Sequence, residues 1–122
     1  MAHRYQTLRE LLAHPEFVEG QYWCRARYGI GELVIREGER NQEVYVVLSG
    51  SLMVCTDVEA GAVHLSSGLC ELFDGEEFAL SCFFDDQPHS ASVKTLSECE
   101  LAVVDASKLK VFLNQHPDLG YQ

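Results

Sequence analysis

Four short runs follow one another almost without pause: ELVIR (32–36), EVYVVLS (43–49), SLMVCTDV (51–58) and AVHLS (62–66). Each is rich in β-branched and aromatic residues, and each alternates or runs apolar over the length of a strand. The links between them, GERNQ, SG and EAG, have turn chemistry. Strands this regular and this closely spaced predict an antiparallel barrel or jelly roll. Further along, LCELF precedes a tight Asp74-Gly75 turn, and SASVKT and ECELAVVD predict two more strands.

Helices are predicted at both ends. Residues 5 to about 17 place Leu8, Leu11, Leu12 and Phe17 on one face, with Pro15 ending or kinking the helix. Asp105 suits an N-cap for ASKLKVFLNQH, whose Leu109, Phe112 and Leu113 share a face. ALSCFF (79–84) predicts one helical turn before the acidic loop DDQPH. The chain thus divides into a helical segment at 1–20, a β-roll at 21–104 with an inserted cassette at 75–93, and a closing helix at 105–122. The fold class is mainly β: an antiparallel β-roll or jelly-roll barrel flanked by short N- and C-terminal helices.

Composition narrows the partners. With 122 residues, of which 47% are hydrophobic, the chain suits one domain with its own core. Nine Lys and Arg against nineteen Asp and Glu leave a formal charge of −10, which repels nucleic acid phosphate. Direct contact with DNA or RNA by this chain is not expected, and no apolar run reaches the roughly 20 residues of a membrane helix. Cys24, Cys55, Cys70, Cys82 and Cys99 are odd in number and never form a C-x-x-C pair. Without an apolar leader they read as reduced thiols of a cytoplasmic protein, and no metal site is expected. His3, His14, His64, His89 and His116 form no H-x-H pair, and no G-x-S-x-G, Walker or H-E-x-x-H motif occurs. The chain is not expected to be an enzyme, and no catalytic residue is assigned.

At GELVIREGERNQEVYVVLSGSLMV and DGEEFALSCFFDDQPHSASVKTLSECELAVVDASKLKVFLNQHP the chain resembles a cyclic-nucleotide-binding domain of the catabolite-activator and Fnr regulator type. The likeness covers roughly residues 10 to 120, and Gly31, Gly38, Gly50 and Gly75 carry much of it. It implies a sensory module and a phosphate-binding cassette that reads approximately F-G-E-x-A-L-L, then P-R-x-A-x-V. In such a cassette, backbone N–H groups at a short helix cradle the cyclic phosphate. The Glu accepts from the ribose 2′-hydroxyl and the Arg pairs with the phosphate.

Laid on that pattern, Phe78 matches Phe, Ala79 takes the Gly place and Leu80 the Glu place. Phe83 and Phe84 replace the leucines, Pro88 matches Pro, His89 stands for Arg, and Ala91 and Val93 match. Both ligand-specific side chains have changed. An unpartnered ribose hydroxyl costs about 1–3 kcal/mol, and a lost bond to a charged group about 1.5–3 kcal/mol. That is about 2 to 4 decades of affinity. No cofactor is expected, and a cyclic nucleotide is disfavoured.

The expected ligand site is Phe78, Ala79, Leu80, Ser81, Cys82, His89, Ser90 and Ala91. A histidine at position 89 could hold an anion when protonated and release it near neutrality. The plainer reading is a surface or pocket-edge histidine hydrogen-bonded to its loop. Cys70, Cys82 and His64 could form a redox or haem sensor of the kind Fnr-like relatives build, but the thiols lack the close spacing of an iron–sulfur site. With Cys82 in an apolar turn and Cys55 and Cys99 in predicted strands, the cysteines read as packed core residues. The resemblance implies a small-molecule effector, and a homodimer or fusion to an effector domain as the route of output. The sequence ends near the point where transcription-factor relatives begin a long dimerisation helix, so both a single-domain protein and the sensor piece of a longer regulator are open. A genuine cyclic-nucleotide-binding domain and a protein-interaction domain without a small ligand are the alternative functions.

Overall fold

A computed structural model describes residues 8–60, 63–79, 88–89 and 91–116, with backbone only for 57–60 and 63–69. Eight strands occur among these residues, in two antiparallel sheets. They are β1 Trp23–Tyr28, β2 Leu33–Ile35, β3 Glu43–Ser49, β4 Leu52–Ala60, β5 Val63–Leu72, β6 Glu77–Phe78, β7 Ser92–Thr95 and β8 Cys99–Asp105. The first sheet runs β1-β8-β3-β6 and the second β2-β7-β4-β5. Short helices stand at the two ends, α1 (Leu8–Leu11) and α2 (Ala106–Gln115). This is the mainly β roll that the strand pattern predicts.

The central strands of the first sheet, β3 and β8, are covered on both faces. Val44 and Val46 of β3 pair with Val104 and Ala102 of β8. They pack with Leu8, Leu11, Phe17, Leu109 and Phe112 from the terminal segments. The intervening Tyr45 and Val47 face the roll interior, with Ile35, Leu52, Leu72, Phe78, Val93 and Leu101. A strand buried on both sides has no use for a polar face, so β3 reads as an unbroken apolar run. Asp105 caps α2 as expected, its carboxylate accepting from the Ser107 and Lys108 amides. Leu109 and Phe112 are buried beneath that helix.

Four local readings change. The predicted helix over 5 to about 17 is regular only from Leu8 to Leu11 among the described residues. Beyond it, the Ala13 and His14 amides bond back three residues, to Glu10 and Leu11. Pro15, which has no N–H, stands where the next bond would form. AVHLS and LCEL are not separate strands but one, β5, paired along its length with β4. β1 was not anticipated because Arg25 and Arg27 interrupt its apolar face. In the fold they point outward, Arg25 bonding Glu19 at 3.1 Å and Arg27 reaching Glu100 at 3.6 Å. β6, only two residues long, is equally invisible to a periodicity argument. The predicted helical turn at 79–84 lies, beyond Ala79, outside the described residues.

The β3–β4 hairpin turns at Gly50, whose φ is +99°. A Cβ there would lie 2.4 Å from the Glu98 carbonyl oxygen and 2.7 Å from Cys99 Sγ. The hairpin is therefore seated directly on the start of β8.

Candidate ligand-binding site

The turn that opens the cassette is built from backbone bonds. The Gly75 amide donates to the Val47 carbonyl (2.7 Å) and the Glu76 amide to that of Phe73 (3.0 Å). These bonds set β6 against β3, with Phe78 opposite Tyr45. The two rings stack at 4.8 Å and within 5° of parallel. Phe78, expected as a ligand contact, is thus a buried wall of the roll interior. Tyr45 was not singled out from the sequence. Its place opposite Phe78 depends on a cross-strand register that a single run does not show. Its hydroxyl donates to Glu43 Oε1 at 3.1 Å. Burial, and then the neighbouring Glu43 charge, push its phenol well above the usual range, so it stays protonated.

Ala79 follows with a φ of +67°, the one non-glycine positive φ among the described residues. The cassette pattern carries glycine at this place, and the backbone keeps the left-handed shape that suits glycine. An L-residue with a Cβ is strained there by about 1–2 kcal/mol. Leu80, Ser81, Cys82 and Ser90 lie outside the described residues, as does the Asp85-Asp86 loop.

His89 lies on the far flank of the cassette. Its amide donates to the Glu39 carbonyl and its carbonyl accepts from the Gly38 amide, both at 2.8 Å. The turn at 36–39 that receives it closes on itself through the Glu39 amide and Arg36 carbonyl (3.1 Å). The residue is only 5% exposed, and among the described residues Nε2 has no hydrogen-bond partner. The ring is therefore not on the surface, and it is the main chain rather than Nε2 that bonds the neighbouring turn. A buried polar atom left without a partner costs about 1–3 kcal/mol, and such atoms in native folds call for a ligand, a water or a catalytic role. Ser92 is also buried, and its Oγ accepts from the Glu37 amide at 2.9 Å, which helps to hold the same turn. Ala91 is half-buried between the two.

The second sheet supplies the opposite wall. Register places Val93, Val54 and Cys70 side by side. Val93 and Val54 belong to the interior core, so Cys70 shares their face. Cys70 is nevertheless exposed, which corrects its reading as a packed core residue. It lies on β5, which is at the edge of its sheet among the described residues. Cys99 does behave as a core residue, buried with Sγ donating to the Ser51 carbonyl at 3.2 Å. Cys24 is exposed, Cys55 is half-buried, and Cys82 lies outside the described residues. Among the described residues, no three His, Cys, Asp or Glu side chains are placed to hold a metal ion. No helix there is long and apolar enough to cross a membrane.

Comparison with known proteins points the same way. Residues 25–116 match the pattern of the family described as "Cyclic nucleotide-binding domain". The chain is 28% identical over 94 residues to the "cAMP-activated global transcriptional regulator CRP" of Pasteurella multocida, covering 76% of this chain and 44% of that protein. It therefore spans less than half the length of the curated relatives it matches. Among solved structures it is similar to the Thermus thermophilus Catabolite Activator Protein, with a TM-score of 0.71 and 23% identity. That match covers 80% of this chain and 45% of the other. The regulatory domain of Toxoplasma gondii PKA, crystallised with cAMP, gives a TM-score of 0.68 at 19% identity, covering 80% and 37%. At such identities the structural likenesses establish the fold.

Proposed function

Because this chain belongs to the cyclic nucleotide-binding domain family, we propose that it is a non-catalytic ligand-sensing module whose cassette has been remodelled away from tight cyclic-nucleotide binding. The observation that carries this reading is His89: a buried imidazole, its Nε2 without a partner among the described residues, where the family's cassette has arginine. An imidazole cannot offer the permanent, two-pronged charge of a guanidinium, and Leu80 cannot accept from a ribose hydroxyl. The ligand contacts are the backbone groups of Ala79 to Cys82, with the side chains of His89 and Ser90. The effector is a small molecule with a polar group for His89 and an apolar portion against Leu80. A homodimer or a fused effector domain, in the cytoplasm, carries the output.

A second reading has one specific support. Ala79 keeps a left-handed φ although its side chain resists it, as if the cassette entry were held in its phosphate-cradling shape. On that reading the chain is a genuine cAMP- or cGMP-binding domain that relies on backbone donors.

Calorimetry and thermal shift with cyclic AMP and cyclic GMP at pH 6 and pH 8 separate the two. Remodelling predicts no heat and no shift at micromolar nucleotide at either pH. Micromolar binding at both values would establish the second reading. Binding at pH 6 alone, abolished by His89→Gln, would give the arginine's task to the imidazolium. Complete silence toward small metabolites as well would leave a protein-interaction domain.

A further inference from the structure

Two histidines and a glutamate meet where the N-terminal segment crosses the end of α2. His116, the C-cap of α2, lays its ring on Phe112, with centroids 4.1 Å apart and planes at 18°. It also meets the edge of His14 at 5.7 Å. His116 Nδ1 lies 2.9 Å from the Phe112 carbonyl oxygen, and Nε2 lies 2.7 Å from Glu16 Oε1. A carbonyl oxygen and a carboxylate oxygen both accept. Neutral imidazole carries one N–H and turns a lone pair toward whichever oxygen it does not serve. Only the imidazolium donates to both. The negative end of the α2 dipole favours the same charged form, as does the Phe112 ring face.

His14 is tied into the same turn by the backbone, its Nδ1 accepting the Glu16 amide N–H at 3.1 Å. Glu16 and His14 are titratable groups that face His116 from the N-terminal segment, and the Phe112 carbonyl and ring face it from α2.

We propose that Glu16, His14 and His116 form a proton-operated clasp that fastens the last turn of α2 to the N-terminal segment. The folded form binds the His116 proton, so the clasp is closed at the acidic side of the imidazole titration. It opens as pH rises through that titration, within the range of about pH 5 to 8 where histidine changes charge. The grip on the end of α2 then follows the local proton concentration. It does so without reference to the cassette.

The test is nitrogen-detected NMR of the histidine rings in the whole chain, with amide exchange measured alongside. At pH 6, both His116 ring nitrogens should carry protons. At pH 8, one His116 nitrogen should have lost its proton. After correction for intrinsic exchange, protection of the Leu113 and His116 amides should then fall about two- to five-fold, as suits a largely exposed ion pair. Glu16 is 66% exposed along its side chain, so Glu16→Gln should fold normally and show the lower protection at both pH values. A neutral His116 ring at pH 6 would overturn the proposal. So would equal protection in the wild type and Glu16→Gln at both pH values.

Discussion

Replacing Gly50 by alanine tests how tightly the β3–β4 hairpin is seated. Two costs combine. The φ of +99° lies in the region where L-residues are strained, at about 1–2 kcal/mol. The new Cβ would also stand 2.4 Å from the Glu98 carbonyl oxygen and 3.0 Å from Cys99 Cα. These are backbone atoms, which cannot rotate aside as a side chain would. Forcing them apart resembles overpacking a core, at about 1–3 kcal/mol. The smaller conformational freedom of alanine in the unfolded chain returns about 0.4–1 kcal/mol. The net expectation for Gly50→Ala is a loss of about 3 kcal/mol. Gly38→Ala is the internal control: its φ is +89°, but nothing lies within 4 Å of the added methyl. That variant should lose about 1 kcal/mol, since only the dihedral cost and the unfolded-state gain remain. Urea unfolding of both variants, read as midpoint shifts at constant m-value, measures the difference. Equal losses would refute the reasoning, because they would leave the Glu98 contact with no energetic role.

Two further expectations concern the ends of the site and of the roll. Asp105→Ala should cost about 1 kcal/mol through loss of the α2 cap. The Ser107 hydroxyl bond chiefly, with the Lys108 and Ser107 amides, holds the Asp105 carboxyl below its ordinary value near 3.8. A depressed folded pKa stabilises above the unfolded value and ceases to do so below the folded one. The gap between wild type and variant should therefore be full at pH 6 and close as pH falls below about 4, which denaturation curves at each pH would show. Ala79→Gly should raise stability by up to about 1 kcal/mol, relief of the left-handed strain outweighing the methyl and the added unfolded-state freedom. A loss on urea melting would mean that the interior contacts of Ala79 outweigh its strain.

What could be read from the sequence was local, and what could not was long-range. The Asp105 cap, the Leu109 and Phe112 face and the β3 and β8 runs each rest on residues a few positions apart, so spacing alone revealed them. β1 escaped because its arginines find partners only once β8 and Glu19 are beside it. The end of α1 depended on Pro15, which was visible, but the three-residue bonds that replace the helix were not. At the site, the cassette outline was legible, since Ala79, His89 and Ala91 could be laid on a known pattern. The burial of His89 was not, because it is set by the Gly38–Glu39 turn far away in the chain. Nor was the role of Phe78, which follows from its pairing with Tyr45. Chemical identity was thus available early, and environment only after the register was known.

The first sheet, clothed on both sides at β3 and β8, has a consequence for how such a domain can change over generations. Even-numbered β3 residues answer to the helices, and odd-numbered ones to the roll interior. A lineage can therefore exchange Tyr45, Phe78 or their interior neighbours while the helix-facing valines stay as they are. Selection for a new small molecule and selection for a firm helical flank act on different letters of the same strand. An inherited scaffold of this kind can trade one chemical vocabulary for another without relearning how to fold.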